Sequence, residues 1–265
     1  MMFGRTKLIA LGYHSVSAVS NGDVFSHALY SKLTVSIDMF KKHIQYLLKK
    51  QYTFLQFRDI VFIQRGERRM PKKPVVVYFD DGYRDVFLHV YPFLKSVGVP
   101  ATIFLTTDFI NRIRLPKWAG DINPKDANIF LSWSEICAMK DVFEIGSHGV
   151  THERFTMLDD TAVQWELTQS RDVIEQYTGI RPTACSLPHS AWDTRFKKLI
   201  QKIGYANTVG VARGYNYGPA YSFLKKIPVG PRDSMWKFRW KLSFFLVGEY
   251  LRRGTYFFRK LIPFQ

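Results

Sequence analysis

Short apolar runs alternate with segments of helical periodicity along almost the whole chain, the pattern of βα units around a mostly parallel sheet. The runs that predict strands are Leu8–Tyr13, Thr53–Phe57, Val75–Phe79, Thr102–Thr106, Phe143–Ser147, Thr183–Leu187 and Ala206–Val209. Between them the pattern predicts helices near Ile37–Lys50, Val86–Ser96, Ser134–Lys140, Thr161–Tyr177 and Thr194–Ile203. Ser132-Trp133-Ser134-Glu135 fits a capping box, in which serine and glutamate side chains satisfy free amides at a helix start. Gly98, Gly179 and Pro182 stand as stop signals. The segment 111–130 holds Pro116, Gly120 and Pro124 with little periodicity. It predicts a long loop over one face of a barrel, of the kind that shapes substrate clefts.

The chain has 265 residues, a size at which strand-helix barrels run as one unit. Hydrophobic residues make up 46% and charged residues 23%, enough apolar surface for a full core and no signature of disorder. The two cysteines, Cys137 and Cys185, form neither a C-x-x-C pair nor a disulfide framework and read as ordinary buried thiols. Leu8-Ile9-Ala10-Leu11 is too short for a secretory apolar region and reads as a first core strand, so a cytoplasmic location is expected.

A net charge of +16 implies attraction to something anionic. No zinc-finger spacing, RNA-binding aromatic signature or basic helix-turn-helix pattern is present, which ranks nucleic acid last among the partners. Composition shifts after about Pro231, and residues 233–265 form a basic aromatic extension in which Trp236, Phe238, Trp240, Arg252 and Arg253 are typical members. Two readings of this extension stand side by side. Its aromatic and cationic residues suit an anionic lipid surface, here the inner face of a membrane, or its aromatics pack a terminal helix onto the barrel. Interrupting charges exclude a spanning helix.

The candidate chemistry lies at two strand ends. Val75-Val76-Val77-Tyr78-Phe79 stops abruptly at Asp80-Asp81-Gly82, where barrel enzymes place reacting groups. Alone, such a turn reads equally as a helix cap. A second strand ends in Ser147-His148, and His152 follows four residues later, a spacing that would put both imidazoles on one side of a helical turn. Two histidines and a carboxylate are a common set for a catalytic divalent ion with an open position.

Tyr78-Phe79-Asp80-Asp81-Gly82-Tyr83-Arg84-Asp85 resembles the T-F-D-D-G-Y-x-D motif of the NodB-type polysaccharide deacetylases, carbohydrate esterase family four. His148-Gly149-Val150-Thr151-His152 resembles that family's paired-histidine motif, and Pro100-Ala101-Thr102-Ile103-Phe104 its P-A-T-x-F strand. The resemblance runs from about His14 to Val229. It implies a distorted (β/α) barrel of roughly seven strands over 1–232, metal binding by Asp81, His148 and His152 with zinc as the expected ion, and Asp80 as general base. Strand alternation agrees, since it would turn Asp80 away from the ligand face of Asp81.

Gly12-Tyr13-His14-Ser15-Val16 resembles the Y-H-x-I/V element of the permuted branch that deacetylates exopolysaccharides. By that likeness His14 is the general acid, the alternative being a histidine that merely hydrogen-bonds at a strand end. Ser186-Leu187-Pro188-His189-Ser190 departs from the family pattern and lacks the arginine that would tune the base. Pro188 still fixes a turn, the His189 amide could serve as oxyanion donor, and the His189 side chain is a second acid candidate. Tyr78, in place of the motif's threonine, is expected to alter packing. His27, His43 and His89 read as surface or packing residues.

The expected function is metal-dependent removal of N-acetyl groups from an amino sugar of a polysaccharide or lipid-linked saccharide. Competing readings are a deformylase or deacylase of a lipid-linked amino sugar, and a catalytically silent glycan- or membrane-binding protein on the same fold.

Overall fold

The computed structural model describes residues 6–18, 30–116, 129–218 and 221–243. In chain order its strands and helices are β1 (Ile9–Tyr13), β2 (Ser15–Ser17), α1 (Tyr30–Leu33), β3 (Thr34–Ser36), α2 (Ile37–Lys49), β4 (Thr53–Leu55), α3 (Phe57–Gln64) and β5 (Pro74–Phe79). Then come α4 (Tyr91–Ser96), β6 (Ala101–Leu105), α5 (Thr107–Ile110), α6 (Trp133–Ala138), β7 (Phe143–Ser147), α7 (Asp160–Thr178), β8 (Ala184–Ser186), α8 (Phe196–Ile203), β9 (Asn207–Arg213) and β10 (Phe223–Pro228).

Seven parallel strands close a ring in the order β1, β10, β9, β8, β7, β6, β5 and back to β1, the distorted barrel the sequence predicts. The distortion has a definite place. One edge of β5 pairs with β1 along its length, while the other is shared: Pro74–Val76 pair with β4, and Tyr78 and Phe79 pair with β6. Below the point where β6 joins, Gln56 fills the gap, its Nε2 donating to Ala101 O at 2.9 Å and Val142 O at 3.0 Å. The run Thr53–Phe57 is therefore a wedge beside the ring rather than a stave of it. Asp59 Oδ2 accepts the Gln56 N–H at 2.8 Å and starts α3, a helix the periodicity does not announce.

The remaining stave, β10, is also absent from the sequence-predicted set. Its Phe-Leu-Lys-Lys-Ile-Pro sequence breaks the apolar pattern because one lysine is exposed and the next turns inward. The expected helix at Val86–Ser96 is split: Val86–Val90 form a wider π turn, and α4 begins at Tyr91. Pro92 has no N–H to give and its ring crowds the preceding turn, which the wider turn accommodates.

Alternation along the strands sorts the apolar residues into two cores. Leu8, Ala10, Val76, Tyr78, Phe104, Ala184, Val209 and Leu224 fill the barrel, whereas Ile9, Leu11, Tyr13, Val75, Val77, Phe79, Ile103 and Ile145 pack outward under the helices. Tyr78 and Phe104 meet edge to face at 5.5 Å in mid-barrel. They fit because glycine stands opposite each. A Cβ at Gly12 would lie 2.5 Å from the Tyr78 hydroxyl, and one at Gly146 would overlap the Phe104 ring. Tyr78 thus fills the middle of the barrel.

The stretch 235–243 is helical. Its Phe238 is buried and stacks on His43 at 3.9 Å, and Lys241 Nζ donates to Pro228 O at 2.6 Å. Trp236 from the same stretch is exposed. Residues 244–265, which hold most of the basic aromatic extension, lie outside the described residues, as does His27. Among the described residues no helix is long and apolar enough to cross a membrane.

The floor of the barrel holds a buried carboxylate. Glu144 accepts the Arg58 N–H at 3.1 Å and the Thr102 hydroxyl at 3.4 Å, and burial pushes its pKa from 4.5 up to about 7. Because the folded value is the higher one, the stability this group contributes is complete below about 4.5 and is lost as pH rises through 7. Glu144→Gln stays neutral throughout. Relative to the parent chain, the variant is expected to gain about 3 kcal/mol between pH 5 and pH 8 in urea unfolding.

Candidate active site

The ladder brings the reactive strand ends together. Tyr13 pairs with Phe79 across the β1–β5 seam, and the Asp80 N–H donates to Tyr13 O at 3.0 Å. His14 and Asp80 therefore continue the inward-facing rows of Ala10 and Val76 at the C-terminal mouth. His148 stands at the end of β7, its N–H bonded to Leu105 O at 2.8 Å. Ser186 ends β8, and Lys226 rises from β10.

Left-handed turns complete the cluster. Asp81 has φ 76° and Gly82 φ 84°, so the chain doubles back immediately after Asp80. Non-glycine residues held in this region store strain, which marks functional turns when the surroundings enforce it. The surroundings do so here, since the Leu131 N–H donates to Gly82 O at 3.0 Å. Strand alternation therefore does not govern Asp81. Its carboxylate reaches His148 Nε2 at 3.3 Å while Asp80 Oδ1 lies 4.0 Å from Nδ1 of the same ring.

His148 and His152 are not joined by a helical turn. The chain between them is a loop with φ 80° at Gly149 and 63° at His152. Glu166 of α7, 2% exposed, holds that loop: its carboxylate accepts the Val150 N–H at 2.6 Å, the Thr151 N–H at 3.1 Å and the Thr151 hydroxyl. The start of α5 ties the other side, with the Thr107 N–H on Gly149 O at 3.2 Å and the Asp108 N–H on Val150 O at 3.0 Å. The result places His152 Nε2 3.2 Å from Asp81 Oδ1.

One ligand atom each from Asp81, His148 and His152 lies within 4.8 Å of the others. His148 Nδ1 faces the Ser186 carbonyl at 2.8 Å, an acceptor, so Nδ1 carries the proton and the Nε2 lone pair points at Asp81. Asp81 Oδ1 is buried and has no hydrogen-bond partner. Acceptors facing one another call for positive charge between them, supplied by a proton on an imidazole or by a bound cation, and an imidazole-carboxylate set fits a divalent cation. The protonation preferences point the same way. Burial works against charge on both groups, yet the Asp80 and Asp81 carboxylates hold His148 above its ordinary pKa, and His152 and His148 hold Asp81 well below its own.

The other sequence-predicted residues surround this cluster. His14 is pushed below the usual imidazole value by burial, against the pull of the Asp81 and Asp80 carboxylates. His189, at φ 57° in the turn after Pro188, meets the edge of the His152 ring at 4.6 Å, and burial with the nearby His152 and Arg154 lowers its pKa to about 4.

Sequence reasoning missed two charged residues. Lys226 is 9% exposed, with Nζ 3.5 Å from Asp80 Oδ2. Glu166 is the loop anchor described above. Each had a signal: Lys226 shares the inward parity of Leu224, and Glu166 falls three residues after Val163 on the buried face of α7.

Comparison with known proteins agrees with the fold and the motifs. The chain is 24% identical over 200 residues to Bacillus subtilis (strain 168) YxkH, covering 75% of this chain and 62% of that protein. It is 25% identical over 115 residues to the poly-beta-1,6-N-acetyl-D-glucosamine N-deacetylase of Staphylococcus aureus (strain MSSA476), covering 42% of this chain and 39% of that one. The chain thus spans less than two thirds of either relative's length. The solved Streptococcus pyogenes deacetylase PplD, in complex with acetate, superposes with a TM-score of 0.75 at 19% identity, over 90% of this chain and 99% of that one. The family model described as polysaccharide deacetylase matches residues 67–208, more than half of the sequence and the stretch that carries Asp80, Asp81, His148, His152 and His189. By that match the chain belongs to the polysaccharide deacetylase family.

Proposed function

We propose that this chain is a metal-dependent hydrolase that removes N-acetyl groups from an amino sugar of a polysaccharide. The observation that carries the reading is the convergence of Asp81, His148 and His152 on one point, beside a second carboxylate, Asp80, buried to 1% exposure. Asp81, His148 and His152 would hold the ion, and a nitrogen and oxygen donor set of this kind favours zinc. Bound there, a divalent cation supplies Lewis acidity toward a carbonyl oxygen and toward water.

The residues around the cluster divide the proton work. Asp80, the nearest carboxylate outside the ligand set, takes a proton from the attacking water. An amine is a poor leaving group until it is protonated. His14 stands at the mouth on the β1 side, where the Asp81 and Asp80 carboxylates offset part of the burial that lowers its pKa, and donates that proton. His189 lies against His152 instead, a position that suits it to forming the wall of the acyl pocket, with its amide, presented by the Pro188 turn, facing the developing oxyanion.

The S. aureus relative, named for its action on poly-beta-1,6-N-acetyl-D-glucosamine, directs the substrate proposal to N-acetylglucosamine oligomers. Incubating zinc-loaded protein with β-1,6- and β-1,4-linked pentamers and weighing the products is the test. Loss of acetyl masses supports the reading, loss of formyl from a formylated amino sugar alone redirects it, and no change on any acylated sugar refutes it.

Asp80→Asn is expected to retain zinc by metal analysis while kcat falls about 10²- to 10⁴-fold. His148→Ala is expected to lose both zinc and turnover. Glu166→Ala removes the acceptor that sets the 149–152 loop. Its zinc dissociation constant, measured by competition with a chelating dye, is expected to rise about 10- to 100-fold.

A further inference from the structure

Lys226 occupies a place that stability alone does not explain. It is an ammonium within the barrel, whereas most other cations among the described residues are solvated, and it faces a carboxylate that is itself only 1% exposed. Removing two charges from water can cost more than their attraction returns, and apolar replacements of such pairs are often neutral or stabilising.

Its route to Asp80 is built into the strands. Leu11 pairs with Ile227 and Gly12 with Pro228, so Lys226 leaves β10 at the level of Ala10. Asp80 stands at the level of His14, one step past the Tyr13–Phe79 pair. Between those levels the inward face of β1 carries only the small residues Ala10 and Gly12, with the Tyr78 ring lying over Gly12. On the other side, β9 bulges. Its pairing with β10 moves from Val209–Leu224 to Arg213–Lys226, so β9 contributes extra residues over that interval, among them Gly210 at φ 95°. The Gly214 N–H then fixes the Lys226 carbonyl at 3.1 Å. Bulges of this kind re-aim side chains beside reactive centres.

The consequence falls on the Asp80 carboxylate. Its Oδ2 faces Lys226 Nζ at 3.5 Å, while its Oδ1 has no hydrogen-bond partner and lies on the side of His148, at 4.0 Å from Nδ1. We propose that Lys226 is a positioning residue: by engaging Oδ2 it fixes the carboxylate plane and leaves Oδ1 as the free lone pair directed at the cluster. This rests on the reading of Asp80 as the general base. Lys226 acts through Asp80 and touches no reacting atom.

Hydrolysis of 4-nitrophenyl acetate by the zinc-loaded full chain tests it. That ester has a leaving group that needs no protonation, so it reports the base step without knowledge of the natural sugar. Lys226→Met and Lys226→Gln are expected to keep their zinc and lower kcat about tenfold or more with KM within about twofold, and Lys226→Arg to stay within about threefold of the parent. In an Asp80→Asn background, Lys226→Met is expected to cause no further loss, because a residue acting through the carboxylate has nothing left to act on. Parent-level kcat in Lys226→Met, or equal losses with and without the Asp80 carboxylate, would overturn the inference while leaving the base assignment intact. Full activity of Asp80→Asn alone would instead remove the base assignment and this inference with it.

Discussion

The mouth of the barrel gathers largely buried acceptors. Asp80 and Asp81 are both nearly inaccessible, and His148 presents its remaining lone pair because the Ser186 carbonyl claims the proton on its other nitrogen. Uncompensated, such a cluster would push its members to protonate or the loops to open. Positive charge at that point, the divalent cation of the proposed function, would balance it. Much of the surrounding structure serves this arrangement: left-handed turns at Asp81 and His152 aim the side chains, Glu166 ties the histidine loop, and Lys226 faces the second carboxylate.

The barrel beneath is layered to keep these charges apart from the rest of the core. Glu144, Thr102 and Gln56 form a polar floor held by backbone bonds. Tyr78 and Phe104 fill the middle, each fitted against a glycine of a neighbouring strand. The third layer is the site. Inverting any strand's register by one residue would exchange an aliphatic outer row for this charged inner one, so the chemistry and the fold are specified by the same alternation.

Much of this was legible in the residues. The Val75–Phe79 run ending in Asp80-Asp81-Gly82, and the strand ending at His148, marked two staves, because buried parallel strands leave continuous apolar runs with polar ends, and the motif resemblance named the Asp81, His148 and His152 that cluster at their ends. What alternation and helical spacing could not show was how the last member of the cluster arrives. His152 is brought in by a loop with positive φ at Gly149 and at His152 itself, a conformation enforced by Glu166 from a distant helix. β10 escaped notice for a related reason: its inward Lys226 breaks the pattern by which strands are recognised, and the break is where the strand meets the site. At β4 an ordinary strand signal was present, but the sharing of the β5 edge between β4 and β6 is a tertiary choice with no local mark.

The account stands on a cation held among Asp81, His148 and His152. Anomalous diffraction at the zinc edge from crystals of the zinc-loaded protein tests this most directly. The expected result is one strong peak about 2.0–2.2 Å from His148 Nε2, His152 Nε2 and an Asp81 carboxylate oxygen. A fully occupied zinc bound elsewhere, with these three side chains left as they are, would contradict it.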